Sequence, residues 1–319
     1  MSAMSRAVSN WKLPNEFGLS ERTLDCLQLA VMEALKRKGC RDLIPVFLNP
    51  FDCIRIGLSV RRSEPMLQGG FSLVRFSAPD AGALQDVIRY VLEREGYCLL
   101  YYQTWDHALS AYRHKYDLTH WSFITSVSES QLTIVDAAGA PEHFAQGNTA
   151  AISWDVFISA FEQTRNYGVG YIQYEQPAAT PWEEQLNRIL RMSVHRMLDD
   201  GGLEQLREFA EKLENAPQAD IVQQLERLEF ELNYYRKLRD LWKVAVFRDI
   251  IPKKQLHAGW LQALMDSGEC WSLVIGLLMK WKRQPSRDYH HKLAHYIWEV
   301  YDRERLMFAE MASACGGLP

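Results

Sequence analysis

Residues 120 to 136, HWSFITSVSESQLTIVD, constrain the fold of this chain more than any other stretch. HWSFITSV is dense in β-branched and aromatic side chains, SESQ is polar turn material, and LTIVDA is a second apolar run, so the segment reads as a β-hairpin. A turn near Ser128 sets residues whose numbers sum to about 256 opposite one another, pairing Ile124 with Leu132, Ser122 with Ile134, and His120 with Asp136. Opposed residues share a face with Cβ atoms about 5 Å apart, close enough for a carboxylate to hold an imidazole in one tautomer. That is half of a nucleophile-activating triad. Cys26, far upstream, offers the nucleophile.

The organisation around the hairpin is expected to be α+β, followed by an all-helical part. LDCLQLAVMEALKRKG carries apolar residues at Leu24, Leu27, Val31 and Leu35; Ser20, Thr23 or Asp25 can cap this helix, and Gly39 ends it. Cys26 falls in its first turn, one position off the apolar stripe. LIPVFL and DCIRIGLSV are strand-like and PMLQGG is a loop; a helix then runs over 80 to 95, CLLYYQT is a buried strand, and WDHALSAYRHKYDLT is a long connection. After the hairpin come a short helix at 153 to 164 and a last strand, GVGYIQYEQ. Beyond PAATP at 177 to 181 every segment reads helical: 182–200, 203–215, 219–250, 254–267, 269–283 and 287–313, with Gly201, Pro217, Pro252, Gly268 and Pro285 as breaks. The domain boundary is therefore expected near 178, giving domains 1–178 and 179–319.

Several classes of function are disfavoured. The 319 residues carry a net charge of −4, which gives no basic field for a nucleic-acid backbone. CWSLVIGLLMKW, the most apolar run, is too short to span a bilayer, and MSAMSRAVSNWKLPNEFG has no secretory h-region. The six cysteines show no CxxC spacing, so reduced thiols in a cytoplasmic setting are expected. His291, His295 and Glu299 recur along one helix face, yet Lys292 breaks the HExxH pattern and no second ligand helix is apparent, so a polar stripe is expected rather than a metal site. Trp242, Trp260, Trp271, Met279, Trp281, Trp298 and Met307 fall at helical spacing and read mostly as core.

A thiol in the first turn of a helix lies near unpaired N–H groups and the positive end of the dipole, which favours the reactive thiolate. A cysteine that merely packs is the ordinary alternative. The order Cys, long helix, His strand, Asp strand sets Cys26 apart from the other five. Asp106 and Asp117 are rival carboxylates, and His107 and His114 rival imidazoles, without that defined geometry.

The combination LDCLQLAVMEALKRKG with GYCLLYYQTWDHALSAYRHKYDLTHWSFITSVSESQLTIVDAAG resembles the butirosin-biosynthesis H-type acyltransferase family and, more distantly, the C39-like cysteine peptidases. The resemblance covers roughly residues 19 to 140. It implies a papain-like domain in which Cys26 is the nucleophile, His120 the base and Asp136 the orienting acid. Asp106 matches the polar position after the central strand, with Trp105 beside it as a candidate substrate contact. Related enzymes place an amide side chain before the cysteine as oxyanion donor, but SERTLD holds none, so Asn15 or backbone N–H groups would serve. The implied reaction passes an acyl group from the phosphopantetheine arm of an acyl or peptidyl carrier protein, through Cys26, to a small-molecule amine in specialised-metabolite assembly. No cofactor of the chain's own is implied, and the oligomeric state is open, a homodimer included. KRKGCR and KWKR could steer an acidic carrier. A thioesterase, amide hydrolase or peptidase would use the same three residues; an inactive papain-like scaffold would use none of them.

Overall fold

A computed structural model describes residues 19–20, 22–41, 43–136, 138–140, 142–144, 148–174, 181–252 and 258–315. Its helices are α1 (Cys26–Arg37), α2 (Ile44–Phe47), α3 (Ala81–Glu95), α4 (Trp154–Glu162), α5 (Trp182–Val194), α6 (Gly202–Asn215), α7 (Gln218–Phe247), α8 (Ala258–Arg283) and α9 (His290–Cys315). The strands are β1 (Ile54–Ile56), β2 (Ser59–Arg61), β3 (Phe71–Ser77), β4 (Cys98–Gln103), β5 (Thr119–Val127), β6 (Gln131–Val135), β7 (Thr149–Ser153) and β8 (Gly168–Tyr174). Two compact units result, an α+β unit and a mainly helical one, with the chain passing between them after Leu43, Gly70 and Glu175. The segment 44–70, assigned from sequence to the first domain, packs with the helical unit: Phe51 accepts a place on Ser193, its N–H donating to Oγ at 3.0 Å, and Trp242 donates to the Asn49 carbonyl at 3.1 Å. A boundary drawn at one point along the chain cannot capture such an excursion.

The α+β unit is built on a six-stranded sheet of order β3-β8-β4-β5-β6-β7 in which neighbouring strands are antiparallel. β4 is a central strand buried from Cys98 to Tyr102, which explains its unbroken apolar run. The edge strands β3 and β7 escape the sequence reading because FSLVRFS is half exposed and TAAIS is short and carries two alanines. Gly168 lets β8 fit between its neighbours: a Cβ there would collide with the Phe76 carbonyl and lie 2.6 Å from the Tyr101 hydroxyl. α3 ends at Gly96, whose φ of 73° supplies the left-handed cap.

The hairpin forms, but in a different register. Its turn centres on Glu129 and Ser130, closed by Ser128 N–H donating to the Gln131 carbonyl at 2.7 Å, so Val127 rather than Ile124 faces Leu132. Thr125 is then left unpaired as a β-bulge, and pairing resumes at Ile124–Ile134 and Phe123–Val135. His120 and Asp136 are therefore diagonal neighbours instead of opposite partners. Without the bulge Asp136 would line up with Phe123, on the face away from His120, because one residue of slip turns every side chain over. The bulge restores the parity that brings the two together.

In the helical unit, β1 and β2 form a small hairpin about Gly57, whose φ is 64°. LIPVFL, read as a strand, instead contains the single turn α2. Residues 269–283 and those before them form one helix, α8; Gly268, read as a break, lies where a Cβ would stand 3.4 Å from Arg239 Cβ, so it permits close approach to α7. Trp242, Trp260, Trp271, Trp281 and Met307 are core, whereas Met279 is exposed and Trp298 half-buried. Arg239 lies within that core in a bidentate pair with Glu304, at 2.9 and 2.6 Å, while Phe51, Tyr235 and Trp271 surround its guanidinium. No helix among the described residues is long and apolar enough to cross a membrane.

Candidate active site

Cys26 is the first residue of α1. Of the three candidate caps, Asp25 is the one used: it accepts the Gln28 N–H at 2.8 Å, and Gln28 Oε1 accepts the Asp25 N–H at 3.1 Å. This reciprocal box leaves the Cys26 N–H without an intrahelical acceptor, as at every first helical position. The thiol itself is half-buried.

β5 carries His120, and the chain leaving β6 carries Asp136. His120 Nε2 lies 2.7 Å from Asp136 Oδ1, and both side chains are buried. An ionised carboxylate only accepts, so Nε2 carries the hydrogen and Nδ1 faces away from Asp136. Nδ1 has no hydrogen-bond partner among the described residues, and after Asp136 the Cys26 side chain is the group that most favours charge on the ring. His120 and Asp136 thus meet in space, and Cys26 lies near enough to act on the imidazole through its charge.

Asp136 is held more firmly than the hairpin alone implies. Oδ2 accepts from the Tyr102 hydroxyl at 2.6 Å and from Ser122 Oγ, while Oδ1 also accepts the Ala138 N–H at 2.7 Å. Tyr102 pairs with His120 across β4 and β5, and Ser122 follows His120 by two along β5, so the sheet presents all three on one face. Burial works against the Asp136 charge, but His120 and the hydroxyl donors outweigh it and hold the carboxyl down at about 2. Burial likewise opposes charge on His120, and is overcome by Asp136 first and Cys26 second, raising the imidazole to about 10. The site therefore holds imidazolium beside carboxylate at neutral pH.

His107, a rival imidazole, has a different task. Its ring stacks on Tyr102 with centroids 3.9 Å apart, and Nδ1 contacts Thr164 Oγ1 at 3.1 Å. Thr164 donates to the Ala160 carbonyl at 2.6 Å, so its oxygen accepts from His107 Nδ1–H. Burial pushes this histidine down to about 3, and it stays neutral behind the phenol that holds Asp136. Asp106 and Trp105 lie on the loop after β4 but engage other groups: Asp106 lies 3.5 Å from Arg165, and Trp105 packs on His114. Asn15 lies outside the described residues. Burial raises the thiols of Cys40, Cys53, Cys98 and Cys270, Cys53 to about 12.

Elsewhere, His295 pairs with Glu299 at 3.4 Å on an exposed helix face, and no group of three metal-type ligands occurs among the described residues. Lys36, Lys38 and Lys282, from the two basic clusters, are ion-paired with Glu33, Glu95 and Glu229. Compared with known proteins, the chain matches no family model and no curated sequence.

Proposed function

We propose that this chain is a cysteine acyltransferase in which Cys26 carries the acyl group, His120 moves the proton and Asp136 orients the imidazole. The observation that supports it is the oriented pair: a buried His120–Asp136 contact of 2.7 Å whose free ring nitrogen is coupled to a cysteine at a helix N-terminus. The resemblance to the butirosin-type acyltransferases supplies the direction of the reaction. A thioester on a carrier protein's phosphopantetheine arm is attacked by the Cys26 sulfur; the carrier thiolate leaves and takes the proton from His120. An amine acceptor then attacks the Cys26 thioester and gives a proton to His120 as the amide forms. Sulfur-to-sulfur exchange is nearly balanced in free energy, so the amide bond drives the overall transfer. In this reading the papain-like domain works in the cytoplasm, needs no bound cofactor, and leaves acceptor or carrier recognition to the helical unit.

The test uses the full chain and a simple thioester, S-phenyl thioacetate, with intact-mass detection. Wild type gains an acetyl group and Cys26→Ser does not. Addition of a primary-amine pool yields amides for a transferase and free acetate for a hydrolase. Absence of an adduct on wild type would leave the scaffold reading in its place.

A further inference from the structure

A thioester carbonyl gathers negative charge on its oxygen as sulfur adds, and the oriented triad supplies nothing to receive that charge. Gln28, the nearest amide side chain after the cysteine, is buried in the capping box, where its Oε1 accepts the Asp25 N–H. Tyr112 is differently placed. Its ring meets the His120 ring edge-on, with centroids 5.6 Å apart and planes at 87°. Tyr102, the other phenol against His120, spends its hydroxyl on Asp136, whereas the Tyr112 hydroxyl makes no hydrogen bond among the described residues.

We infer that the Tyr112 hydroxyl and the Cys26 backbone N–H form the oxyanion hole of this site, an inference that rests on the acyl-transfer reading. Burial first, then the charge of Cys26 and more weakly that of Asp136, pushes the phenol up to about 12, so the hydroxyl stays protonated and able to donate. Its loop is fixed to the chain that carries Asp136. Ala111 N–H donates to the Ala138 carbonyl at 2.7 Å, Ala140 N–H to the Leu109 carbonyl at 2.8 Å, and Ser110 bridges to Gly139. Ser110 Oγ also accepts the Tyr112 N–H at 3.1 Å. A donor anchored this way is oriented before the reaction, which is where electrostatic catalysis gains most.

In the step itself the Cys26 thiolate forms a C–S bond and the carbonyl π pair moves to oxygen, where Tyr112 O–H and Cys26 N–H donate to it. Collapse of that oxyanion restores the double bond and expels the donor thiolate, which is protonated by the His120 imidazolium.

Two reagents separate this role from a structural one. S-phenyl thioacetate acylates through an oxyanion; iodoacetamide alkylates the same sulfur by displacing iodide and forms none. Tyr112→Phe is expected to slow acylation by about 10²-fold while leaving alkylation of Cys26 within about two-fold. Equal losses in both reactions, or no loss in either, would overturn the inference. If the phenylalanine variant does not fold, 3-fluorotyrosine at 112, a more acidic phenol of nearly the same shape, decides: acylation should rise about two-fold, and an unchanged or lower rate refutes the donor role. Failure of wild type to acylate would refute the acyltransferase reading and this inference with it. Acylation of wild type and Tyr112→Phe at one rate would leave the former standing and end the latter.

Discussion

Replacing Asp136 with asparagine separates the charge of the triad from its geometry. The amide has one acceptor and one donor where the carboxylate has two acceptors, and the surrounding groups choose its orientation. Ala138 N–H and His120 Nε2–H can only donate towards Oδ1, whereas the hydroxyls of Tyr102 and Ser122 on Oδ2 can turn round and accept. The amide oxygen therefore stays on the His120 side and the tautomer is kept. What disappears is one negative charge about 4 Å from the centre of the imidazolium, worth about 4 kcal/mol at an effective dielectric of about 20. A loss of that size would lower the thiolate–imidazolium population by about 10³-fold, but ordinary ionisation of a thiol, a few per cent at neutral pH, sets a floor. The second-order rate of Cys26 alkylation by iodoacetamide should thus fall by about 30-fold at neutral pH. A fall of less than about three-fold in a folded variant would show that the Asp136 charge is not transmitted to the sulfur, and the electrostatic account of the site would fail.

Other outcomes follow from the same groups. Asp136, held near 2, stabilises the fold above its unfolded value of about 4, and this contribution of about 2 kcal/mol is lost as pH falls through about 2. His120, held near 10, stabilises the fold below about 6.5 and loses that contribution as pH rises through about 10; urea midpoints against pH should show both limbs, and both should flatten in Asp136→Asn because one ion pair underlies them. In the helical unit, Arg239→Met should destabilise by about 3–5 kcal/mol by stranding a buried Glu304, and Arg239→Met with Glu304→Leu should recover most of it. A double variant as unstable as the single one would mean that packing around the guanidinium, not the unpaired carboxylate, carries the cost.

The pairing of His120 with Asp136 and the place of Cys26 at a helix start were legible in the sequence because these residues lie on elements with strong periodic signals: a capped amphipathic helix for Cys26, an apolar strand for His120, a strand exit for Asp136. Ser122 was within reach too, since strand alternation places it beside His120. Tyr102 and Tyr112 were not. One depends on how β4 pairs with β5 and the other on how a long connection folds back, and neither is encoded in a local period. The excursion of 44–70 into the helical unit escaped for the same reason, because Phe51 and Asn49 find partners more than a hundred residues away. Glycine at 268 misled because the same residue serves as a helix end and as a close-contact point, and only the neighbouring helix tells which.

The unpaired Thr125 makes the meeting of acid and base depend on a residue that takes no part in the ladder. Its side chain makes one long contact, 3.4 Å to the Thr133 carbonyl, so exchange for serine or valine should leave Cys26 as reactive as before. Removing the residue altogether would close the bulge and leave Ser126–Thr133 and Ile124–Ile134 in register, so His120 and Asp136 should still meet and rapid labelling of the cysteine should persist. What matters here is that the extra residue stays out of the ladder, because a Thr125 that paired would carry the acid round to the face of Phe123.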